Sequence, residues 1–317
     1  RDPSSVLKVN DKYYVWYTKS VGPHFGKEVL DPNAKKFPWD YADIYYATSV
    51  DGINWQEQGC AVHRGGKGEY DERTICTPDV LEHNGKYYLV YQAIPQGSYT
   101  GCNENVAMAV AESPDGPFIK TRQNILQAMP SGNWFGDVSD DSYNKGKFFG
   151  LTHDPSLYYY NRKFYLYYKC SSNTDKLKFA GKDTRWGVAI SEDILGPYEH
   201  SDFNPVTNSG HETMLWHYNG GIGALLNRDG PEKNTIQYAK DGVNFEIMAV
   251  TENTPQAGGA FRGDNTDLSP LEGIRWGLCH CDERASIWNY IIRFDLDQRN
   301  DPYKLPLTYP IPNTQWF

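Results

Sequence analysis

Apolar and polar positions in this chain alternate in short runs, and each run is cut by a brief polar break before it resumes. The stretch Thr152-His-Asp-Pro-Ser-Leu-Tyr-Tyr-Tyr-Asn-Arg-Lys-Phe-Tyr-Leu-Tyr-Tyr-Lys169 shows the pattern most fully. Aromatic and aliphatic side chains suit a pleated, half-buried surface, and the polar break at Asn161 predicts a hairpin between two strands. The same grammar returns from Asp2 to Tyr17 and from Thr77 to Tyr91, with a looser copy from Glu212 to Leu226.

A second unit follows each hairpin: an apolar strand, an Asp/Gly turn, and an aromatic that opens another strand. It runs from Ile44 to Trp55, from Val106 to Phe118, from Trp186 to Tyr198 and from Thr235 to Phe245. The Asp-Gly pairs supply the positive backbone angles that such turns need. A fifth, degenerate copy is predicted with its first half at Asp264 to Asp267 and Ile274 to His280, and its second at Ser286 to Asp295. Two hairpins per unit, repeated five times, predict an all-β, five-bladed β-propeller with residues 1–317 as a single domain. A sandwich would not return the same order of strand, turn and aromatic each time. Insertions at 22–41, 95–104 and 171–185, and the stretch 124–150 between units, are long enough to build the rim of a site. The segment after Asp301 is expected to lie extended against the outside.

Composition narrows the ligand. Aromatics make up 15% of the chain, which favours strands and sugar-like ligands over long helices. The formal charge of −9 argues against nucleic acid or an anionic membrane as the main partner, while leaving room for a locally basic pocket. No apolar run approaches the roughly 18 residues of a membrane helix. The chain opens at Arg1 inside a repeat, which suggests a missing N-terminal segment, so the lack of a targeting signal carries no information. Six cysteines are scattered without a CxxC pair and are expected to be free, mostly buried thiols. Cys279-His-Cys281 reads as a strand with alternating faces, since its spacing does not suit zinc.

In a propeller the first strand of every blade lines the central axis. Counting back seven residues from the hairpin asparagine reaches Asp154 from Asn161, Glu212 from Asn219 and Thr77 from Asn84; one further step takes Asn10 to Asp2. Three blades would thus present a carboxylate at one height, where like charges repel. Acid–base catalysis across a bond is the chemical use of such a cluster. His153 and His211 precede two of the acids, and a histidine beside a carboxylate can donate a proton near neutral pH. Structural alternatives stand beside this. Asp-Pro is an ordinary turn device, Glu212 could pair with Arg1 or Arg262, and His211 could be a solvated rim residue. Asp79, level with Ser156, is expected to be a satisfied structural acid. A divalent cation near the axis, held by His153, His211 and carboxylates, is conceivable, but no compact ligand motif supports it.

The motifs Arg1-Asp-Pro-Ser-Ser, Thr152-His-Asp-Pro-Ser and Gly210-His-Glu-Thr resemble those of glycoside hydrolase family 117. That resemblance covers essentially the whole chain. It implies a five-bladed propeller, distantly related to family 43, that releases 3,6-anhydro-L-galactose from the non-reducing end of neoagaro-oligosaccharides without a required cofactor. It further implies Asp2 as general base, Asp154 as a positioning and pKa-setting acid, and Glu212 with His211 as the acid side, His211 standing where a histidine donor has been considered. Trp39, Thr77, Gln92 and His153 look like its sugar-contacting positions. A periplasmic or secreted bacterial location goes with that substrate. Family members carry a helical N-terminal segment, often exchanged between subunits, so a homodimer is an expectation for the full-length protein only. Some branches of the family do not act on agar fragments. The competing expectations are a family 43-like arabinosidase or xylosidase and a non-catalytic carbohydrate-binding propeller, which would have no need of three acids on one axis. Sialidase is weaker still, for the Asp51 turn resembles its Asp-box but the three arginines are not found.

Overall fold

The computed structural model describes residues 1–26, 28–97, 104–121, 123–127, 152–171, 184–228, 230–251, 254–263, 275–281 and 289–295. The regular elements among them are all β-strands. The first set is β1 (Val6–Val9), β2 (Lys12–Lys19), β3 (Asp43–Ser49) and β4 (Gln56–Val62). The second is β5 (Thr74–His83), β6 (Lys86–Ile94), β7 (Asn105–Ala111) and β8 (Ile119–Lys120). The third is β9 (His153–Tyr160), β10 (Lys163–Ser171), β11 (Thr184–Ser191) and β12 (Glu199–His200). The fourth is β13 (Thr213–Tyr218), β14 (Gly221–Leu226), β15 (Thr235–Ala239) and β16 (Glu246–Val250). Three further strands follow: β17 (Gly259–Arg262), β18 (Trp276–Cys281) and β19 (Tyr290–Asp295).

The second, third and fourth sets are separate four-stranded sheets, each in sequence order. The last three strands join the first set into a seven-stranded sheet ordered β19-β18-β17-β1-β2-β3-β4. Their seam is the parallel pairing of β1 with β17, with Val6 opposite Phe261 and Leu7 opposite Arg262. The other strand pairs are antiparallel, as consecutive hairpins dictate. At the innermost hairpin turns Asn10, Asn84, Asn161 and Asn219 take φ of 54°, 52°, 49° and 43°. Asparagine tolerates that left-handed region better than other residues with a β-carbon, which is why the repeat carries it there.

Apolar faces meet between successive sets. Trp16, Ile75 and Leu89 pack between the first and second, and Met108, Leu157 and Leu166 between the second and third. Tyr167, Leu215 and Ile222 fill the next gap, and Trp216 with Ala260 the one after. Val6, Val15, Trp276 and Leu278 then pack the last strands onto the first set, so the series of cores returns to its start.

One correction concerns the degenerate copy. The expected first half at Asp264 to Asp267 lies outside the described residues, and the strand that pairs with β1 is β17, beginning at Gly259. The reason is steric. A β-carbon at Gly259 would sit 1.7 Å from the Ser4 carbonyl oxygen, so the close approach of β17 to β1 requires glycine. Most of the stretch 124–150 and the segment after Asp301 also lie outside the described residues.

On the axis, Asp79 and Arg262 tie four of the strand sets together. Asp79 accepts from the Ser5 N–H at 3.2 Å, the Ser156 hydroxyl at 2.7 Å and Arg262 Nη2 at 2.6 Å. Arg262 also donates to the Val80 carbonyl at 3.0 Å and lies 4.1 Å from the centre of the Tyr158 ring. Asp79 is therefore a satisfied structural acid, as its place in the sequence suggested.

The Gly259→Ala variant should lose about 3 kcal/mol of stability in urea denaturation, because backbone rather than a movable side chain blocks the added methyl. Gly66→Ala, where the added atom meets nothing within 4 Å, should stay within about 0.5 kcal/mol of the parent. Equal stabilities for the two variants would contradict the packing described for the seam.

Candidate active site

The first strands of the sets bring one residue each to the mouth of the axis: Asp2, Thr77, Asp154, Glu212 and Ala257 line a common pocket of about 60 Å³. Asp2, Thr77, Asp154 and Ala257 take φ of 50°, 47°, 47° and 41°. Such angles are costly for residues with a β-carbon and persist where the surroundings fix them. In β5 and β9 the turn coincides with a bulge, seen as a register shift between Cys76 and Asp79 and between Tyr167 and Lys169. The column expected from the hairpin asparagines is therefore present, with Ala257 as a fifth member that sequence spacing did not find.

Each acid has a partner. Asp2 is 6% exposed; its Oδ2 accepts from Arg1 Nε at 2.8 Å, and its Oδ1 lies 2.9 Å from His280 Nδ1. Burial pushes its carboxyl up, but Arg1 and His280 together outweigh that and hold it far below the usual carboxylate range. Asp154 pairs with the Lys169 ammonium at 2.5 Å. Glu212 Oε2 accepts from the Ala257 N–H at 2.6 Å, and its Oε1 faces His211 Nε2 at 3.9 Å. The structural alternative for Glu212 is not realised, since Arg1 bonds Asp2 and Arg262 bonds Asp79.

Asp2 and Glu212 each place an oxygen within 4.8 Å of the other and of a His280 nitrogen. That is closer than the roughly 6.5–9.5 Å expected of opposed carboxyls in an inverting glycosidase. Glu212 is held by the N–H of Ala257, two residues before β17, the strand that pairs in parallel with β1. A cation at this point would share Asp2 with the Arg1 guanidinium, placing two positive charges on one carboxylate. The donors therefore fit a hydrogen-bonded cluster better than a metal centre, and the expected His153 and His211 are not among them.

The expected sugar-contacting residues form one arm. The Thr77 N–H donates to Thr18 Oγ1 at 2.9 Å, and its hydroxyl lies 3.4 Å from Gln92 Oε1. Gln92 donates to Glu104 Oε2 at 2.9 Å, and the same carboxylate pairs with His153 Nε2. Burial pushes the Glu104 carboxyl up; His153, Lys169 and Gln92 bring it below its ordinary value. Trp39 stacks on Phe37 with centroids 4.8 Å apart, and the Arg1 guanidinium lies 5.0 Å from its ring centre, which ties it to the axial group. A larger cavity of about 440 Å³, lined by Tyr17, Lys35, Trp55 and Tyr290 among others, meets the axial group at Arg1.

Sequence reasoning did not single out Arg1, Glu104, Lys169 or His280 as site residues. The signals were faint: Lys169 is a cation closing a buried aromatic run, and His280 lies between two cysteines on a strand recognised only as alternating.

The Asp2 shift makes a stability prediction. Its carboxyl is depressed in the folded state, so the unfolded chain takes up the proton first as pH falls. The stabilisation is complete above the unfolded value of about 4 and is lost as pH drops below it towards the folded value. Unfolding free energy, measured in urea between about pH 5 and pH 3, should therefore fall more steeply for the parent than for Asp2→Asn. Parallel curves would remove Asp2 from this account.

No protein-family model matches the chain, and no curated protein sequence does so. Solved structures do. Low-identity matches share the fold: a family 43 glycoside hydrolase from Xanthomonas citri complexed with xylotriose is 12% identical with a TM-score of 0.58, covering 93% of this chain and 86% of that one. Sucrose-6-phosphate hydrolase from Lactobacillus gasseri is also 12% identical, with a TM-score of 0.63 over 94% of this chain and 59% of that one. Far higher is the identity to Zg3597, a family 117 glycoside hydrolase from the marine bacterium Zobellia galactanivorans: 36%, with a TM-score of 0.76, over 93% of this chain and 83% of that one. With identity of that level over nearly the whole length, the chain belongs to glycoside hydrolase family 117.

Proposed function

We propose that this glycoside hydrolase releases 3,6-anhydro-L-galactose from the non-reducing end of neoagaro-oligosaccharides, with inversion, on a single five-bladed propeller. The blade count follows if the seven-stranded sheet is divided at its parallel seam, leaving four strands in the first blade and three described strands in the fifth. The observation that carries the reaction is the convergence of Asp2, Asp154 and Glu212 from three strand sets on one pocket. The substrate rests on family membership and on the motifs around those acids. The same reading carries a periplasmic or secreted location and, for the full-length protein, a homodimer.

Asp2 is the base. A carboxylate held so firmly ionised is a weak proton acceptor at rest. It suffices in a glycosidase, because the attacking water becomes acidic as it bonds to an oxocarbenium-like carbon. The closeness of Glu212 to Asp2 leaves little room for the scissile bond between them, which favours His211 as the proton donor. Glu212, 3.9 Å from the ring, then stabilises the imidazolium. Asp154, fixed by Lys169, positions the sugar, and Thr77, Gln92, His153 and Trp39 contact it. An anhydro sugar offers one apolar bridged face to Trp39 and few hydroxyls to the polar arm.

Incubation with neoagarobiose should release anhydrogalactose, detected by chromatography. Cleavage of aryl arabinosides or xylosides in its place would move the enzyme to the family 43-like specificity, and no turnover of any glycoside would favour a binding propeller. His211→Ala should cost about 10²–10⁴-fold on the natural disaccharide and much less on an aryl glycoside with a good leaving group. Asp2→Asn should abolish both activities. Selective rescue by the good leaving group in Glu212→Gln, and not in His211→Ala, would transfer the donor role to Glu212.

A further inference from the structure

One cation at the axis differs from the rest. Lys169 belongs to β10, in the most aromatic of the hairpins, and its side chain is only 9% exposed. Lysine is rarely buried so completely, and a methionine would fill a similar space without a charge to desolvate. Opposite β10, β9 carries a bulge, in which Asp154 and Pro155 stand against the single residue Tyr168, and bulges re-aim the side chains beside them. Here the ammonium ends 2.5 Å from Asp154 Oδ2. Burial lowers its proton affinity, but Asp154, then Glu212 and Asp2, raise it above the ordinary lysine value, so it remains an ammonium throughout the working pH range.

We propose that Lys169 is a positioning residue of this site: its buried ammonium fixes the Asp154 carboxylate at the axis and, standing opposite His153 on the neighbouring strand, adds a second positive charge on the side of Glu104, which His153 pairs directly. The proposal rests on the glycosidase reading for its effect on turnover, but not for its effect on Glu104. Two halves of the site thereby share one fixed charge. On one side is Asp154; on the other is the polar arm that runs from Glu104 through Gln92 to Thr77. The titratable groups facing this region are Asp154 and His153 from β9, Glu104 before β7, Cys76 from β5, and Asp2 and Glu212 at the starts of their strands. Lys169 neither gives nor takes a proton in the reaction.

The test compares Lys169→Met with Lys169→Arg, which keeps the charge. On neoagarobiose, Lys169→Met should lose roughly 100-fold in kcat with KM changed less than about threefold, and Lys169→Arg should recover much of the loss. Independently of turnover, the ¹³C-carboxyl resonance of Glu104, assigned with Glu104→Gln, should titrate at higher pH in Lys169→Met than in the parent and near the parent midpoint in Lys169→Arg. If Lys169→Met does not fold, Lys169→Gln, which removes the charge but keeps a hydrogen-bond donor for Asp154, is titrated in its place, with the same upward shift expected. A parent-like kcat in Lys169→Met, or a Glu104 midpoint that does not move, would overturn the proposal. A parent enzyme inactive on every glycoside would overturn the functional reading instead, and the Glu104 titration would then decide the role of Lys169 by itself.

Discussion

Like charges crowd the axis of this fold, and the structure holds because every carboxylate there is matched to a buried cation or donor. The first strands of successive sets converge, so the residue that starts each strand cannot avoid its counterparts. Asp2 is matched by Arg1 and His280, Asp154 by Lys169, and Glu212 by the Ala257 N–H. Breaking a buried pair by removing one member typically costs about 3–5 kcal/mol, whereas the pair itself adds little net stability. Such an arrangement is weak evidence for stabilisation and better evidence for use.

Two groups of axial residues divide the work. Two residues further along β5 than Thr77, Asp79 with Arg262 binds the Ser5 backbone, β5, β9 and β17 into one piece. At the strand starts, Asp2, Thr77, Asp154 and Ala257 have left-handed backbone and line the same pocket as Asp79. The Asp79–Arg262 contacts hold the sets at fixed separation, and that rigidity keeps the strand-start acids in register. This is how a scaffold whose close packing serves stability can carry strained residues at its site.

What was legible in the sequence was local. The hairpins announced themselves through alternating aromatics and an asparagine in the turn, and counting back from Asn84, Asn161 and Asn219 located Thr77, Asp154 and Glu212. What was not legible depends on contacts between distant segments. The start of β17 is dictated by the approach of Gly259 to the Ser4 backbone, which leaves only glycines as its trace. Likewise Lys169 and His280 acquire meaning only once β10 and β18 are beside the axis. The short distance between Asp2 and Glu212 is a contact between distant segments, which no hairpin pattern foretells.

Chemistry is proposed at the axial acids and not in the larger cavity beside Tyr17 and Trp55. A crystal structure of the Asp2→Asn variant soaked with neoagarotetraose tests it most directly. The terminal anhydro sugar is expected at the axial acids, its anomeric carbon facing residue 2 and the glycosidic oxygen within hydrogen-bond reach of His211. An oligosaccharide seated in the larger cavity, with the axial pocket vacant of sugar, would contradict it.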